Sequence, residues 1–315
     1  MKIIQTYSLR ILWLLVFWAW STSLHGAADT EEKGLLGYKE AFVYGLVEGV
    51  TEFLPISSTG HLVLVDHSFK RGGVPRSPQM EEAIFAYLIV IQGGAILAVA
   101  LLYRAQIHMI LLGLFGYSER GLNLAKLILL AFLPAVLLGP LLDDLIESVL
   151  LGLLPIACAL IGGAFLMFWV EARNPQNESM SASIDQLSKR SALMIGLLQC
   201  VAMWPGTSRS MMTIVGGYLA GLSRVQAAEF SFLLGLITLS SAAIYKILTA
   251  GSEITAHLAW GPVLFGCLVA GASAVIAVKW LIHYLSKKGL VLFAWYRLLL
   301  GLAVLYWYIN AKDII

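Results

Sequence analysis

The chain has 315 residues, of which 59% are hydrophobic and 13% charged, with a formal net charge of +2. Soluble domains carry about 25% charged residues, so at a mean hydropathy of +0.82 the apolar side chains exceed what one soluble core could bury, and lipid must cover the rest. The net charge is too small to suggest a nucleic-acid partner, and no basic run is longer than Lys287-Lys288.

In chain order, Lys2 and Arg10 precede the apolar run Ile11–Trp20, which is too short to span a bilayer. The small residues Gly26-Ala27-Ala28 then suit cleavage after Ala28. Residues 1–28 are therefore read as a signal peptide or, uncleaved, as an N-terminal anchor, and residues 29–315 as a single membrane-embedded domain. Cleavage would leave the mature N-terminus outside the cytoplasm. Tyr38–Val65 is a hydrophobic segment interrupted by Pro55-Ile56-Ser57-Ser58-Thr59-Gly60. Apolar stretches follow at about 83–103, 123–142 and 149–170, with a shorter, interfacial run at Ile107–Phe115. The polar connector Glu171–Arg190, holding Asn174-Pro175, separates repeat halves of about 38–170 and 191–309. Ser191–Leu222 is the second interrupted segment, broken by Pro205-Gly206-Thr207-Ser208-Arg209-Ser210. Further apolar stretches lie at about 228–249, 262–285 and 289–309.

Each uninterrupted stretch is long enough, at about 20 residues, to cross roughly 30 Å of hydrocarbon as a helix. Cationic residues fall in two separate loops (Lys70, Arg71 and Arg76; Arg173, Lys189 and Arg190), so the positive-inside count leaves the orientation open. Cys158, Cys200 and Cys267 each sit inside an apolar run and are expected to be small buried hydrophobes. Arg297 and Lys279 lie near the ends of their spans, where snorkelling accounts for them.

Within the two interrupted segments, proline stops one helix and the hydroxyl residues after it suit the N-cap of another. Gly45-Leu46-Val47-Glu48 also lines up with Gly196-Leu197-Leu198-Gln199, with Pro55 and Pro205 at nearly the same distance beyond. Paired broken segments in corresponding halves point to a binding site, because irregular backbone at that depth must line protein or a water-filled cavity.

The polar residues of these segments carry the chemistry. Glu48 and Glu52 share a helix face, with Gly45 and Gly49 near it to admit a neighbouring helix. A carboxylate at bilayer depth costs roughly 2.5–3.5 kcal/mol, so the pair is read as a divalent-metal site, a general base, or both. Ser57-Ser58-Thr59-Gly60-His61 opens a half-helix whose free N–H groups favour an anion. Ser57 is placed to cap that helix. Ser58 could be a nucleophile with a carboxylate or His61 taking its proton; His61 could instead attack phosphorus, protonate the leaving group, or serve as scaffold. Arg209 is the only ionised side chain between Ser191 and Leu222, and its guanidinium fork suits a phosphate. It could equally neutralise Glu48 or Glu52. Ser57 and Thr59 on one segment, and Ser208, Ser210 and Thr213 on the other, are the hydroxyls expected to bind the substrate.

The run Glu48-Gly49-Val50-Thr51-Glu52-Phe53-Leu54-Pro55-Ile56-Ser57-Ser58-Thr59-Gly60-His61 closely resembles the signature of the bacterial undecaprenyl-pyrophosphate phosphatase family, the bacitracin-resistance type. Trp204-Pro205-Gly206-Thr207-Ser208-Arg209-Ser210 with Thr213 resembles its second signature, and Tyr296-Arg297 extends the likeness. The resemblance implies an all-α integral membrane fold: a multi-span helical bundle with inverted repeats and two re-entrant, broken helix pairs. It implies removal of the terminal phosphate from a C55 isoprenyl diphosphate, with Glu48, Glu52, Ser58, His61 and Arg209 catalytic. It also implies a divalent cation, Mg or Ca, held by Glu48 and Glu52. The expected partners are the polyisoprenyl diphosphate lipid, the bilayer and a second copy of the chain, in the inner membrane with the site facing the periplasm. Met211-Met212 depart from the family's usual Gly-Ala. The alternative reading is a transporter or flippase for a phosphorylated lipid, since broken helices in paired repeats are also a transporter design.

Overall fold

The computed structural model describes residues 37–71, 78–173, 183–256 and 260–311. The expected leader at 1–28, the Asn174-Pro175 turn of the connector and Arg76 lie outside the described residues. Eleven α-helices are described: α1 Tyr38–Thr51, α2 Ser58–Arg71, α3 Pro78–Leu102, α4 Arg104–Leu114, α5 Glu119–Leu150, α6 Leu153–Arg173, α7 Lys189–Val201, α8 Arg209–Leu219, α9 Arg224–Ala256, α10 Trp260–Leu285 and α11 Val291–Ala311. A short 3-10 turn, Ile184–Gln186, precedes α7, and no strand occurs among the described residues.

Six of these helices, α3, α5, α6, α9, α10 and α11, are long and apolar enough to cross a membrane, and they coincide with the six uninterrupted stretches read from the sequence. The protein is an all-α, multi-pass membrane protein. Large apolar side chains such as Leu141, Leu248, Leu268 and Tyr306 stand exposed on the outside of the bundle, as they do where lipid replaces water as the solvent. The same inversion corrects the expectation for the cysteines: Cys158 is exposed and Cys200 and Cys267 are only half-buried, because an apolar thiol on this surface meets hydrocarbon. The short run at 107–115 forms α4, which packs on α5 after the single non-helical residue Tyr103.

Each interrupted segment is a pair of helices joined by a non-helical break, α1 with α2 and α7 with α8. The first helix of each pair lies along a span of the other half: α1 on α10, and α7 on α5. Small residues set both contacts. A Cβ placed on Gly49 would stand 2.1 Å from the carbonyl oxygen of Ala270, and one on Gly196 would stand 2.2 Å from that of Ala131. The pairs share their register as well. One spacing separates Gly45 from Gly196, Glu48 from Gln199, the start of α1 from that of α7, and the start of α2 from that of α8.

The breaks end alike. Ser57 and Ser208, one residue before α2 and α8, have φ of 75° and 76°, the only positive-φ non-glycine residues among those described. Each side chain caps the helix that follows: Ser57 Oγ accepts from Gly60 N at 3.3 Å, and Ser208 Oγ from Met211 N at 3.3 Å. A left-handed serine turns the chain sharply at the cost of about 1–3 kcal/mol of backbone strain, so that the next residue, Ser58 or Arg209, begins a helix at the centre of the bundle.

Candidate active site

The two breaks meet inside the bundle. Helical spacing persists one residue past α1, with Glu52 N donating to Glu48 O at 2.9 Å, so both acids stay on one face. Glu52 is the hub. Its Oε1 accepts from Arg209 Nη2 at 2.7 Å and its Oε2 accepts from Ser58 Oγ at 2.5 Å. Hydroxyl, carboxylate and guanidinium thus form a continuous chain across the two segments. The ion pair is largely withdrawn from solvent, with side-chain exposures of 12% for Arg209 and 6% for Glu52, so removing one partner would strand a buried charge at about 3–5 kcal/mol.

Arg209 is placed by its surroundings. Its Nη1 donates to Ser231 O at 3.4 Å, its guanidinium carbon lies 5.2 Å from the centre of the Phe53 ring, and its Nε has no partner. Thr213 braces the start of α8 by donating to Arg209 O at 2.9 Å, and its hydroxyl meets that of Ser231 at 2.6 Å. Ser210 joins the breaks directly, donating to Leu54 O at 2.7 Å while its Oγ lies 3.0 Å from Ser208 Oγ. Thr59 is exposed beside half-buried Ser58. The first turns of α2 and α8 supply the free N–H groups that suit an anion.

His61 lies one helical turn beyond Ser57 and is occupied at both nitrogens. Nδ1 is 2.6 Å from Ser57 O, and Nε2 is 2.5 Å from the Tyr296 hydroxyl. A carbonyl only accepts, so in the neutral ring Nδ1 carries the proton and Nε2 accepts from tyrosine. Glu48 is the opposite case. It is fully buried, and neither carboxylate oxygen has a hydrogen-bond partner. An unpaired buried carboxylate is costly, so the side chain calls for a proton or a cation. Two adjacent acids supply hard oxygen ligands that suit Mg or Ca, which commonly take one or two carboxylates and complete their shell with substrate phosphates and water. Among the described residues there is no cluster of three or more His, Cys, Asp or Glu side chains to hold a metal alone.

Two findings differ from the sequence reading. Arg297 does not snorkel: it is fully buried and donates through Nη2 to the carbonyls of Ala159 at 2.9 Å and Gly206 at 3.0 Å. It fits because Gly163 lies opposite, where a Cβ would stand 2.3 Å from Nη2. Ser231 and Tyr296 also reach the site residues; the sequence reading assigned neither a role there, although Tyr296 belongs to the Tyr296-Arg297 pair that extends the family likeness.

Six apolar spans enclosing a carboxylate, a hydroxyl and a guanidinium in contact define an integral membrane protein with a polar, anion-suited site inside its bundle. Comparison with known proteins identifies its kind. Residues 41–303 match the family described as bacitracin resistance protein BacA, and the chain belongs to that family. It is 40% identical over 267 residues to undecaprenyl-diphosphatase 3 of Acinetobacter baylyi, covering 85% of this chain and 96% of the relative. It is 41% identical over 268 residues to undecaprenyl-diphosphatase of Acinetobacter baumannii, covering 84% and 94%. With undecaprenyl-diphosphatase 2 of Shewanella oneidensis it shares 39% over 275 residues, covering 86% and 98%.

Proposed function

We propose that this chain hydrolyses undecaprenyl diphosphate to undecaprenyl phosphate and inorganic phosphate, returning the lipid carrier to cell-wall synthesis and conferring bacitracin resistance. The observation that carries the reading is the contact of Ser58 and Arg209 with the same carboxylate, Glu52, in a chain of this family. A nucleophile, its base and a phosphate-binding cation are then within one side chain of each other.

In this mechanism the terminal phosphate draws Arg209 away from Glu52 and is held by the guanidinium and the N–H groups that open α2 and α8. Glu52, released from its counter-ion, takes the Ser58 proton. Ser58 Oγ bonds to the terminal phosphorus as the bond from that phosphorus to the bridging oxygen breaks, and undecaprenyl phosphate leaves. Water then attacks the phosphoserine, the P–Oγ bond breaks, Ser58 recovers its proton from Glu52, and inorganic phosphate departs. Glu48 and Glu52 are the residues that would hold a divalent cation, Mg or Ca, whose charge when bound would offset that of the diphosphate. Ser57, Thr59, Ser208, Ser210 and Thr213 complete the proposed cradle, and the prenyl tail lies among the spans.

The same proposal puts the protein in the inner membrane with the site open to the periplasm. It also includes a homodimer, which light scattering of the detergent-solubilised protein would test. Attachment of a membrane-impermeant thiol reagent to a cysteine introduced at Thr59 would test the placement. The central experiment is release of inorganic phosphate from undecaprenyl diphosphate by the purified protein. Release should disappear in Ser58→Ala and on chelation, and return with Mg or Ca. Movement of the lipid across liposomes with no phosphate released would overturn the proposal.

A further inference from the structure

Two consecutive residues of α11 each hold one of the two breaks. Tyr296 reaches the first: its hydroxyl is 2.5 Å from His61 Nε2, and the two rings lie parallel within 4° at 5.6 Å between centres. Through the ring, that contact continues from Nδ1 to Ser57 O, the carbonyl of the left-handed residue directly before Ser58. Arg297 reaches the second break, donating to the carbonyl of Gly206, which has φ of 93° and lies three residues before Arg209. Its other bond, to Ala159 O, anchors the same guanidinium to α6.

The chemistry of these contacts is unusual for a span. Arg297 is fully buried, and its Nε and Nη1 have no hydrogen-bond partner. Its Nη2 donates to two backbone carbonyls, those of Ala159 and Gly206. A cation is expensive at bilayer depth, and Arg297 pays that cost where the broken backbone has turned a carbonyl away from helical partners. His61 in turn links the Tyr296 hydroxyl at Nε2 to Ser57 O at Nδ1.

We propose that Tyr296 and Arg297 are positioning residues for the hydrolysis, α11 acting as a clasp that fixes Ser58 through His61 and Ser57 and fixes Arg209 through Gly206. The proposal rests on the phosphatase reading. The two halves of the clasp act on different partners of the reaction. Tyr296 sets the nucleophile, so its loss falls on turnover; Arg297 sets the segment that holds phosphate, so its loss falls on binding as well. Misplacement by about 1 Å can cost roughly a hundredfold in rate.

Steady-state hydrolysis of undecaprenyl diphosphate by Tyr296→Phe and Arg297→Lys, alongside the wild type, tests the clasp. Tyr296→Phe removes one hydroxyl and keeps the ring. It should lower kcat by roughly ten- to a hundredfold at unchanged KM, with an unaltered thermal midpoint. Nitrogen-15 NMR of histidine-labelled protein should show one ring signal, assigned by its absence in His61→Gln, moving in Tyr296→Phe. Arg297→Lys keeps the charge and a single donor group, and should raise KM roughly tenfold while lowering kcat. Wild-type kcat and KM in folded Tyr296→Phe and Arg297→Lys would overturn the clasp, as would rate losses that only track the unfolded fraction. Silence of the wild-type protein would instead overturn the hydrolysis that the clasp serves.

Discussion

The guanidinium of Arg209 lies so close to Gly235 that a Cβ on that glycine would stand 2.0 Å from Nη1. Gly235 is on α9, one turn beyond the Ser231 carbonyl that Nη1 contacts, so α9 provides both the gap and the acceptor. Gly235→Ala should displace the guanidinium from Glu52 and lower kcat/KM by roughly a hundredfold, the scale of losing one charge-stabilising donor. Wild-type kcat/KM in this variant would show that Arg209 finds its place without the gap.

The Arg209–Glu52 pair makes a prediction about stability that differs from the one about rate. Glu52→Gln leaves Arg209 buried without its counter-ion, which should cost about 3–5 kcal/mol, and it removes the base from Ser58, which should lower kcat by roughly a hundred- to ten-thousandfold. Adding Arg209→Met should recover part of the lost stability and none of the activity, because the stranded charge is gone while the chemistry stays broken. Thermal unfolding of the single and double variants measures the coupling; strictly additive losses would contradict it.

Gly49 holds α1 against α10, where a Cβ would meet both Ala270 O and the Ser273 hydroxyl at 2.1 Å. Gly49→Ala should force the helices apart and destabilise the fold by about 1–3 kcal/mol, the usual cost of overpacking. Since Glu48 is the adjacent residue, phosphate release should fall in the fraction that remains folded. An unchanged midpoint in a thermal scan would refute the contact.

Outside the spans, Asp185 should make stability depend on pH. Its carboxyl accepts from the Ser183 hydroxyl, and Arg120 Nε donates to it at 3.2 Å. The Ser183 hydrogen bond, reinforced by Arg120, holds its pKa below the ordinary carboxylate value. Folding therefore favours the ionised form: the stabilisation is complete above the unfolded chain's value of about 3.9 and is lost as pH falls through the lower folded value. Asp185→Asn should unfold at a lower temperature than the wild type at neutral pH, and the gap should close in acid. A gap that is constant with pH would assign the effect to packing.

The spans were the most legible part of the chain, because length and apolarity alone decide which helices can cross a bilayer. Their ends were less so. The stretch read from 123 begins at Glu119 because Ser118 caps the helix through its bond from Gly121 N at 3.1 Å. The stretch read from 149 divides at Leu151 and Gly152 between α5 and α6. In the site, the sequence pointed to Ser58, Glu52 and Arg209 as chemically apt groups, and the fold brings them into contact. It could not show which acid each would meet, since Glu48 and Glu52 occupy the same face. Arg297 was misread because an arginine in an apolar span looks the same whether it reaches for water or for a carbonyl; the distinguishing feature, Gly163, is on another helix.

The positions directly after the two left-handed serines are equivalent in register, and they hold Ser58 and Arg209. Had the segments remained identical, the centre of the bundle would face either two hydroxyls, with no cation to gather a phosphate, or two guanidiniums repelling each other with nothing to attack it. A nucleophile opposite a cation requires that the two breaks keep one shape while their side chains diverge. Similarity of backbone sets the address, and dissimilarity of residue makes the address reactive.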